Sequence, residues 1–269
     1  MKAKIETNKY FFEIDFSKGK DISIPMLFNG EQPSTYNVPK AVSKPYKDMQ
    51  FIGDTRAGGP CNFETYTITP HCNGTHTECV GHITTERVSI LNCLNEEIII
   101  SKLITVLPEE SNENYIPTLN KKELVISKKQ IEISLKDIKD NVFDALIIRT
   151  LPNTIQKKHT DYMQTSPAFF TIEAMEYIVN LGIKHLLVDT PSVDRLFDDG
   201  VLSAHNIFWE TSEKLLNKAA ISKTITEMVF IPDEVEDGDY LLNLQIAPFF
   251  ADAAPSRPIL YKINELQKK

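Results

Sequence analysis

The chain has 269 residues, of which 42% are hydrophobic and 25% charged, an ordinary globular composition with enough length for a sizeable core. With only 10 glycines and no repeating period, it excludes disordered tails, disulfide-stapled miniproteins, collagen-like arrays, solenoids and propellers. The balance of 37 acidic against 29 basic residues leaves a formal charge of -8, which repels phosphate backbones on average.

The stretch up to about Lys47 carries apolar patches at Phe11-Phe12 and Ile22 to Leu27, broken by Pro25, Pro33, Pro39 and Pro45. It reads as strands and long loops. Asn62 to Ile68 is dense in β-branched and aromatic residues and predicts a strand. Short apolar runs at Ile98 to Ile100 and Leu103 to Leu107 predict buried strands, as do Ala145 to Thr150 and His185 to Asp189. Between the last two, Ile172, Met175, Ile178 and Val179 share a helical face, with Thr171 as cap and Gly182 as stop, giving a strand-helix-strand unit. Ser203 is expected to cap a second helix through Ile207, Phe208, Leu215 and Leu216. Tyr240, Leu242, Leu244 and Ile246 alternate with polar residues as a half-buried strand, after an acidic segment read as a solvated turn. No Ser/Gly-rich linker divides the chain, so residues 1–269 are expected to form one α/β domain with a mixed sheet.

Chemistry concentrates between His71 and His82, where three of the 6 histidines stand with Cys72, Glu78 and Cys79. In an extended chain, residues two apart share a face, so Cys72, Gly74, His76, Glu78 and His82 could point one way. His71 would face the other way unless Asn73-Gly74 forms a bulge. Thiolate, imidazole and carboxylate together suit zinc or a similar divalent metal. A lone histidine on a strand is more often a hydrogen-bonded structural residue, but a metal site accounts better for His76, Glu78 and His82 together. His205 and Glu227 are the best distant partners by residue type. His159 and His185 are read as loop or strand-surface residues, Asp189, Ser192 and Asp194 as turn residues, Cys61 and Cys93 as core, and Arg257 as a structural partner for Asp252 in preference to a substrate carboxylate.

HCNGTHTECVGH at residues 71–82 resembles the signature H-x-G-T-H-x-D-x-P-x-H of the cyclase family, which includes the bacterial type of kynurenine formamidase and isatin hydrolase. ALIIRT (145–150), VDTPSVD (188–194), Ala204-His205, ITE (225–227), DGDYLL (237–242) and APSRPIL (254–260) follow in the family's order, so the resemblance covers about residues 12 to 262. It implies a metal-dependent hydrolase with a mixed, partly open β-barrel and flanking helices, of swivelling β/β/α type, working as a homodimer or homotetramer. Carried over by position, His76 matches the second motif histidine, Glu78 replaces the motif aspartate, and His82 matches the last histidine, the proton-transfer residue. His205 and Glu227 match the later metal ligands. The first ligand is Cys72 by direct alignment, or His71 if one residue is inserted. Cys79-Val80-Gly81 departs from the family's proline-containing turn, and the longer segment after His205 leaves Glu210 and Glu213 as possible substitutes.

The implied cofactor is one or two divalent ions: zinc if the Cys72 thiolate takes part, with manganese open otherwise. The implied substrate is a small amide, either an aryl formamide such as N-formylkynurenine or a cyclic amide. A cyclase, lactonase or dehydratase on the same site, or a member that binds metal or metabolite without turnover, is the alternative. No nucleic-acid partner is expected, since the lysine pairs at 121–122, 128–129 and 157–158 are short and dispersed. No membrane partner is expected either, because no apolar run approaches the ~20 residues that span a bilayer. A charged N-terminus and four cysteines without a leader suggest a reducing, cytoplasmic location.

Overall fold

The apolar runs pair into a seven-strand ring in the computed structural model, which describes residues 1–7, 10–120, 122–136 and 143–264 and the backbone of 267–268. Lys121 of the first lysine pair lies outside the described residues. The ring strands are β1 (His76–Cys79), β2 (Ile98–Val106), β3 (Ala145–Thr150), β4 (His185–Val188), β5 (Thr224–Glu227), β6 (Gly238–Ile246) and β7 (Ala253–Lys262). Their order is β6-β2-β3-β4-β5-β1-β7, and β7 pairs back onto β6. From β2 to β5 the neighbours are parallel; the other four pairings are antiparallel. The mixed barrel expected as partly open is thus closed. Closure is possible because β6 and β7, of 9 and 10 residues, are long enough for each to serve two neighbours.

Alternation along the strands assigns two faces. Cys79, Leu103, Ile147, Leu187, Leu242 and Ala254 belong to the cluster that fills the ring. Leu146, Ile148, Leu186, Val188 and Ile225 belong to a second cluster with the helices outside. The helices are α1 (Pro70–Asn73), α2 (Ile90–Cys93), α3 (Lys128–Leu135), α4 (Ile172–Asn180) and α5 (Ser203–Phe208). The strand-helix-strand unit is β3-α4-β4: Thr171 accepts from Ala174 N, and Gly182 at φ 79 ends the helix. Met175 and Ile178 are fully buried under α4, each worth ~1.5–3 kcal/mol of apolar burial.

Several expectations need correction. The helix α5 stops at Phe208 instead of reaching Leu216, because Glu210, Glu213 and Lys214 adopt left-handed φ of 51, 52 and 61. Ser203 does not cap it; its hydroxyl donates to Ile116 O, and the Asp194 carboxylate takes the free Ala204 and His205 N–H groups at 2.7 and 3.1 Å. The helix α3, with a capping box between Ser127 and Gln130, was not foreseen. His185 is buried, its Nδ1 2.9 Å from Thr224 Oγ1, since it alternates with the outward Leu186 and so faces the ring interior. Arg257 pairs with Asp21, not Asp252, and Cys61 is exposed. In the acidic turn, Asp237 is not merely solvated, because it accepts from Thr105 and Arg149. Among the described residues, no helix is long and apolar enough to cross a membrane.

Candidate metal centre

The 71–82 motif does not run as one strand. Pro70 sits in the first turn of α1, where its missing N–H costs nothing, and Cys72 N and Asn73 N bond back to Thr69 O. The helical turn breaks the period of two, so the parity argument that favoured Cys72 no longer holds. Asn73 fixes the turn, accepting from Thr69 N and donating to Pro39 O. Thr75 then anchors the start of β1: its hydroxyl donates to Met228 O and accepts from Ile24 N. After Cys79 the chain makes a tight 3-10 turn over Val80–His82 that brings His82 back beside Glu78. Gly81 permits this turn, because a Cβ there would stand 2.2 Å from Val88 O.

Cross-strand register does the rest. In the β5–β1 ladder Glu227 lies opposite His76, and Ile225 opposite Glu78. Because Ile225 faces the outer cluster, His76, Glu78 and Glu227 stand on the outer wall. The alternate residues Thr77 and Thr226 point into the ring, where their hydroxyls bond at 2.8 Å. Ala253 of β7 also pairs with Glu78, which brings Asp252 to the site edge. His205 comes from α5, and its Nδ1 is held at 2.6 Å by Asp194.

The result is a carboxylate ringed by imidazoles. Glu78 is fully buried; its Oε1 is 2.9 Å from His205 Nε2, and its Oε2 is 2.9 Å from His71 Nδ1 and 3.8 Å from His82 Nε2. Asp252 lies 2.9 Å from His71 Nε2 and 3.5 Å from His82 Nδ1, and the His71 and His82 rings stack at 4.2 Å. Glu227 spans two histidines, 3.5 Å from His76 Nε2 and 3.8 Å from His205 Nε2, while accepting Val193 N.

Charge follows from burial and neighbours. Burial alone would raise the Glu78 carboxyl, but the His82 and His205 charges and the bonds from His205 and His71 hold it well below its usual value. The same contacts work on the histidines. Against the cost of burial, Glu78 and Asp194 raise His205 well above its usual range, and bonds to Asp252 and Glu78 raise His71 to about 10. Bonds from His71 and then His82 keep Asp252 strongly acidic. Protons on imidazoles thus balance the buried carboxylates, a role that a divalent cation held by the same residues would supply.

Two observations test whether a cation fits. His76 donates Nδ1–H to Gly74 O at 3.0 Å, which leaves Nε2 as a lone-pair donor, and that buried Nε2 has no hydrogen-bond partner. Glu78 Oε2, equally buried, is met only by imidazoles, His71 Nδ1 at 2.9 Å and His82 Nε2 at 3.8 Å. Three overlapping groups, His71–His76–Glu78, Glu78–His82–His205 and His71–His82–Asp252, each hold ligand atoms within 4.8 Å of one another. Imidazole with carboxylate suits a divalent metal, and the fit is good.

Of the residues singled out in the sequence, His71, His76, Glu78, His82, His205 and Glu227 converge here. Cys72 stands outside the three groups; burial, then the Glu227 charge, pushes its thiol up to about 11, away from a thiolate ligand. Glu210 pairs with Lys223, and neither it nor Glu213 joins the cluster. Asp194 was read only as a turn residue and Asp252 only as an arginine partner. Nothing in local spacing signals their contacts, which arise from α5 packing and strand pairing. Also unforeseen were Tyr36 and Phe197, which line, with His71, His82 and His205, a cavity of about 500 Å³ opening from the cluster.

The profile of the Cyclase family matches residues 20–195. The chain is 30% identical over 118 residues to a kynurenine formamidase of Bacillus cytotoxicus, covering 44% of this chain and 49% of the relative. It is 26% identical over 117 residues to a kynurenine formamidase of Bordetella avium, covering 43% and 50%. The chain therefore spans about half the length of the curated relatives it matches. Among solved structures, one described as a potential metal-dependent hydrolase with cyclase activity superposes at TM-score 0.62 and 18% identity, covering 92% of this chain and 99% of that one. An isatin hydrolase bound to thioisatinate superposes at 0.57 and 12% identity, covering 92% and 93%. At such identities the likeness is one of fold. With the family profile matched over residues 20–195, the chain belongs to the cyclase family.

Proposed function

We propose that the chain is a metal-dependent hydrolase of a small amide, an aryl formamide or a cyclic amide, in the manner suggested by its kynurenine formamidase relatives. The observation that carries this reading is the buried, unbonded His76 Nε2 close to the Glu78 carboxylate, amid three more histidines that line an open cavity. His71, His76, Glu78, His205 and Glu227 would hold the metal, one ion or two; zinc suits the imidazole-rich set, and manganese is the competitor now that Cys72 stands apart. When bound, such a cation acidifies a water and polarises a carbonyl oxygen.

The chain's own residues would handle orientation and protons. Asp194 locks the His205 tautomer, and Gly74 O does the same for His76, so both Nε2 atoms face the centre. His82 is partly open to the cavity, with Asp252 beside its Nδ1, so its Nε2 is free to take a proton from the attacking water. As the C–N bond breaks, the same imidazole returns that proton to the leaving nitrogen, giving acid and amine. A cytoplasmic location belongs to the same proposal, supported by four free cysteines, as does the homodimer or homotetramer that the family resemblance implies.

Elemental analysis of protein purified without chelator, paired with formanilide hydrolysis, tests this. Wild type and Cys72→Ser should carry near-stoichiometric metal and His71→Ala should lose it. His82→Ala should keep the metal while turnover falls by at least ~100-fold. Metal-free protein under every reloading condition would remove the hydrolase reading.

A further inference from the structure

The wall of the cavity carries information about the substrate that the metal cluster does not. Tyr36 occupies the tip of a turn closed by Val38 N to Thr35 O at 3.1 Å. Both central residues, Tyr36 and Asn37, have φ of 53. Two successive left-handed residues make a type I′ turn, a place for Asn and Gly, where a side chain beginning with Cβ is strained. Asn37 tolerates the geometry, but nothing local recommends a tyrosine there.

The strain is over-determined by its surroundings. Ser34 N bonds to Thr160 O and Ser34 O accepts Tyr162 N, tying the loop to a neighbouring segment. The buried Gln32 side chain clamps the loop base through Leu27 O, Ala41 O and Ala41 N. So held, the Tyr36 phenol reaches in beside Ser192 and feels the Glu227 charge, while 43% of the residue stays open to solvent. Phe197 lines the same cavity from the segment that joins Asp194 to α5, and it is 67% exposed, with no packing reason for being aromatic.

The charge around these rings has one sign. Asp198 is buried with its carboxylate held by Gly200 N and Leu202 N, and Asp199 lies exposed next to it on the rim. Among the described lining residues there is no lysine or arginine. A cation in the cluster would be matched by Glu78 and Glu227, so Asp198, whose charge acts on the Tyr36 phenol, and its neighbour Asp199 leave the Tyr36 end of the cavity negative.

We infer that Tyr36 and Phe197 hold an aromatic ring over the site, and that the ring's far end is neutral or cationic, a carboxylate there being rejected by Asp198 and Asp199. The inference rests on the amide-hydrolase reading for the near end of the substrate. Its own content is the selection at the far end.

The test uses para-substituted pairs with the metal-loaded protein. Binding of acetanilide, 4-(aminomethyl)acetanilide and 4-acetamidobenzoate is measured by titration calorimetry, and turnover is measured with the corresponding formanilides. The first two acetanilides should bind at least about tenfold tighter than the carboxylate, the factor expected for a like charge a few ångström away. Tyr36→Gly suits the turn and removes the ring. Its melting temperature should be unchanged or higher while affinity for acetanilide falls about tenfold. Asp199→Asn should narrow the gap between the neutral and anionic ligands.

Equal or tighter binding of 4-acetamidobenzoate, undiminished binding by Tyr36→Gly, or no binding of any acetanilide overturns the inference. If the binding order holds and no formanilide is hydrolysed, the selection stands and the hydrolase reading fails.

Discussion

His185 offers a quantitative check on the fold that is independent of the metal. Its imidazole is 3% exposed, inside the ring, with Nδ1 bonded to Thr224 Oγ1. Burial, and then the charge of Lys184, depress its pKa from 6.5 to about 4, against a small opposing pull from Asp144. The folded protein therefore refuses a proton that the unfolded chain accepts. The associated stability is fully present above pH 6.5 and is lost as pH falls towards 4. Taken through the linkage relation, the depression amounts to about 3 kcal/mol in full, of which about 2 kcal/mol should disappear between pH 7.5 and pH 5. Other groups also make stability depend on pH, so the informative quantity is a difference. Urea unfolding of wild type and His185→Asn in chelator, at pH 7.5 and pH 5, isolates it, since Asn can keep a bond to Thr224 but cannot titrate. The variant should lose about 2 kcal/mol less than wild type over the interval. Parallel losses would refute the placement of a neutral imidazole inside the ring.

Two further substitutions probe the site. Asp194→Asn weakens the carboxylate that orients His205 and should lower metal affinity by about 10–100-fold in a competition with a chromogenic chelator; unaltered affinity would mean His205 needs no such partner. Gly81→Ala drives a Cβ to 2.2 Å from Val88 O and, since backbone must move, should cost ~1–3 kcal/mol. A calorimetric scan showing an unshifted melting transition would contradict the tight turn before His82.

What the sequence made legible was whatever its periods and caps encode locally. The β3-α4-β4 unit and the strand at β6 were readable because apolar spacing, Thr171 and Gly182 agree with one another. The helix α3 escaped because its signal lies in the Ser127–Gln130 capping box more than in a strong apolar stripe. Ring closure was not readable at all, since it depends on which long strand pairs with which. At the site, residue types and order pointed to six converging side chains, but whether His71 or Cys72 joins the cluster turned on Pro70 starting a helical turn, which a parity rule cannot see. Asp252 and Asp194 act through neighbours brought in by strand pairing and by α5, and Tyr36 through a backbone conformation that its residue type disfavours.

The position of β1 between two antiparallel neighbours has a consequence for how this protein can be altered. The spacing of His76, Glu78 and Glu227 is set by main-chain ladders, and slipping β1 or β5 by one residue would turn that strand's own donors into the ring interior. Tyr36 and the 196–202 segment hang from loops and carry no ladder bond of the ring. Under the amide-hydrolase proposal, changing which amide is accepted is therefore a matter of rewriting loops. An engineer could vary those loops while leaving all seven strands alone, and the spacing of His76, Glu78 and Glu227 would be inherited; His205 would follow as long as the Asp194 anchor of α5 is kept.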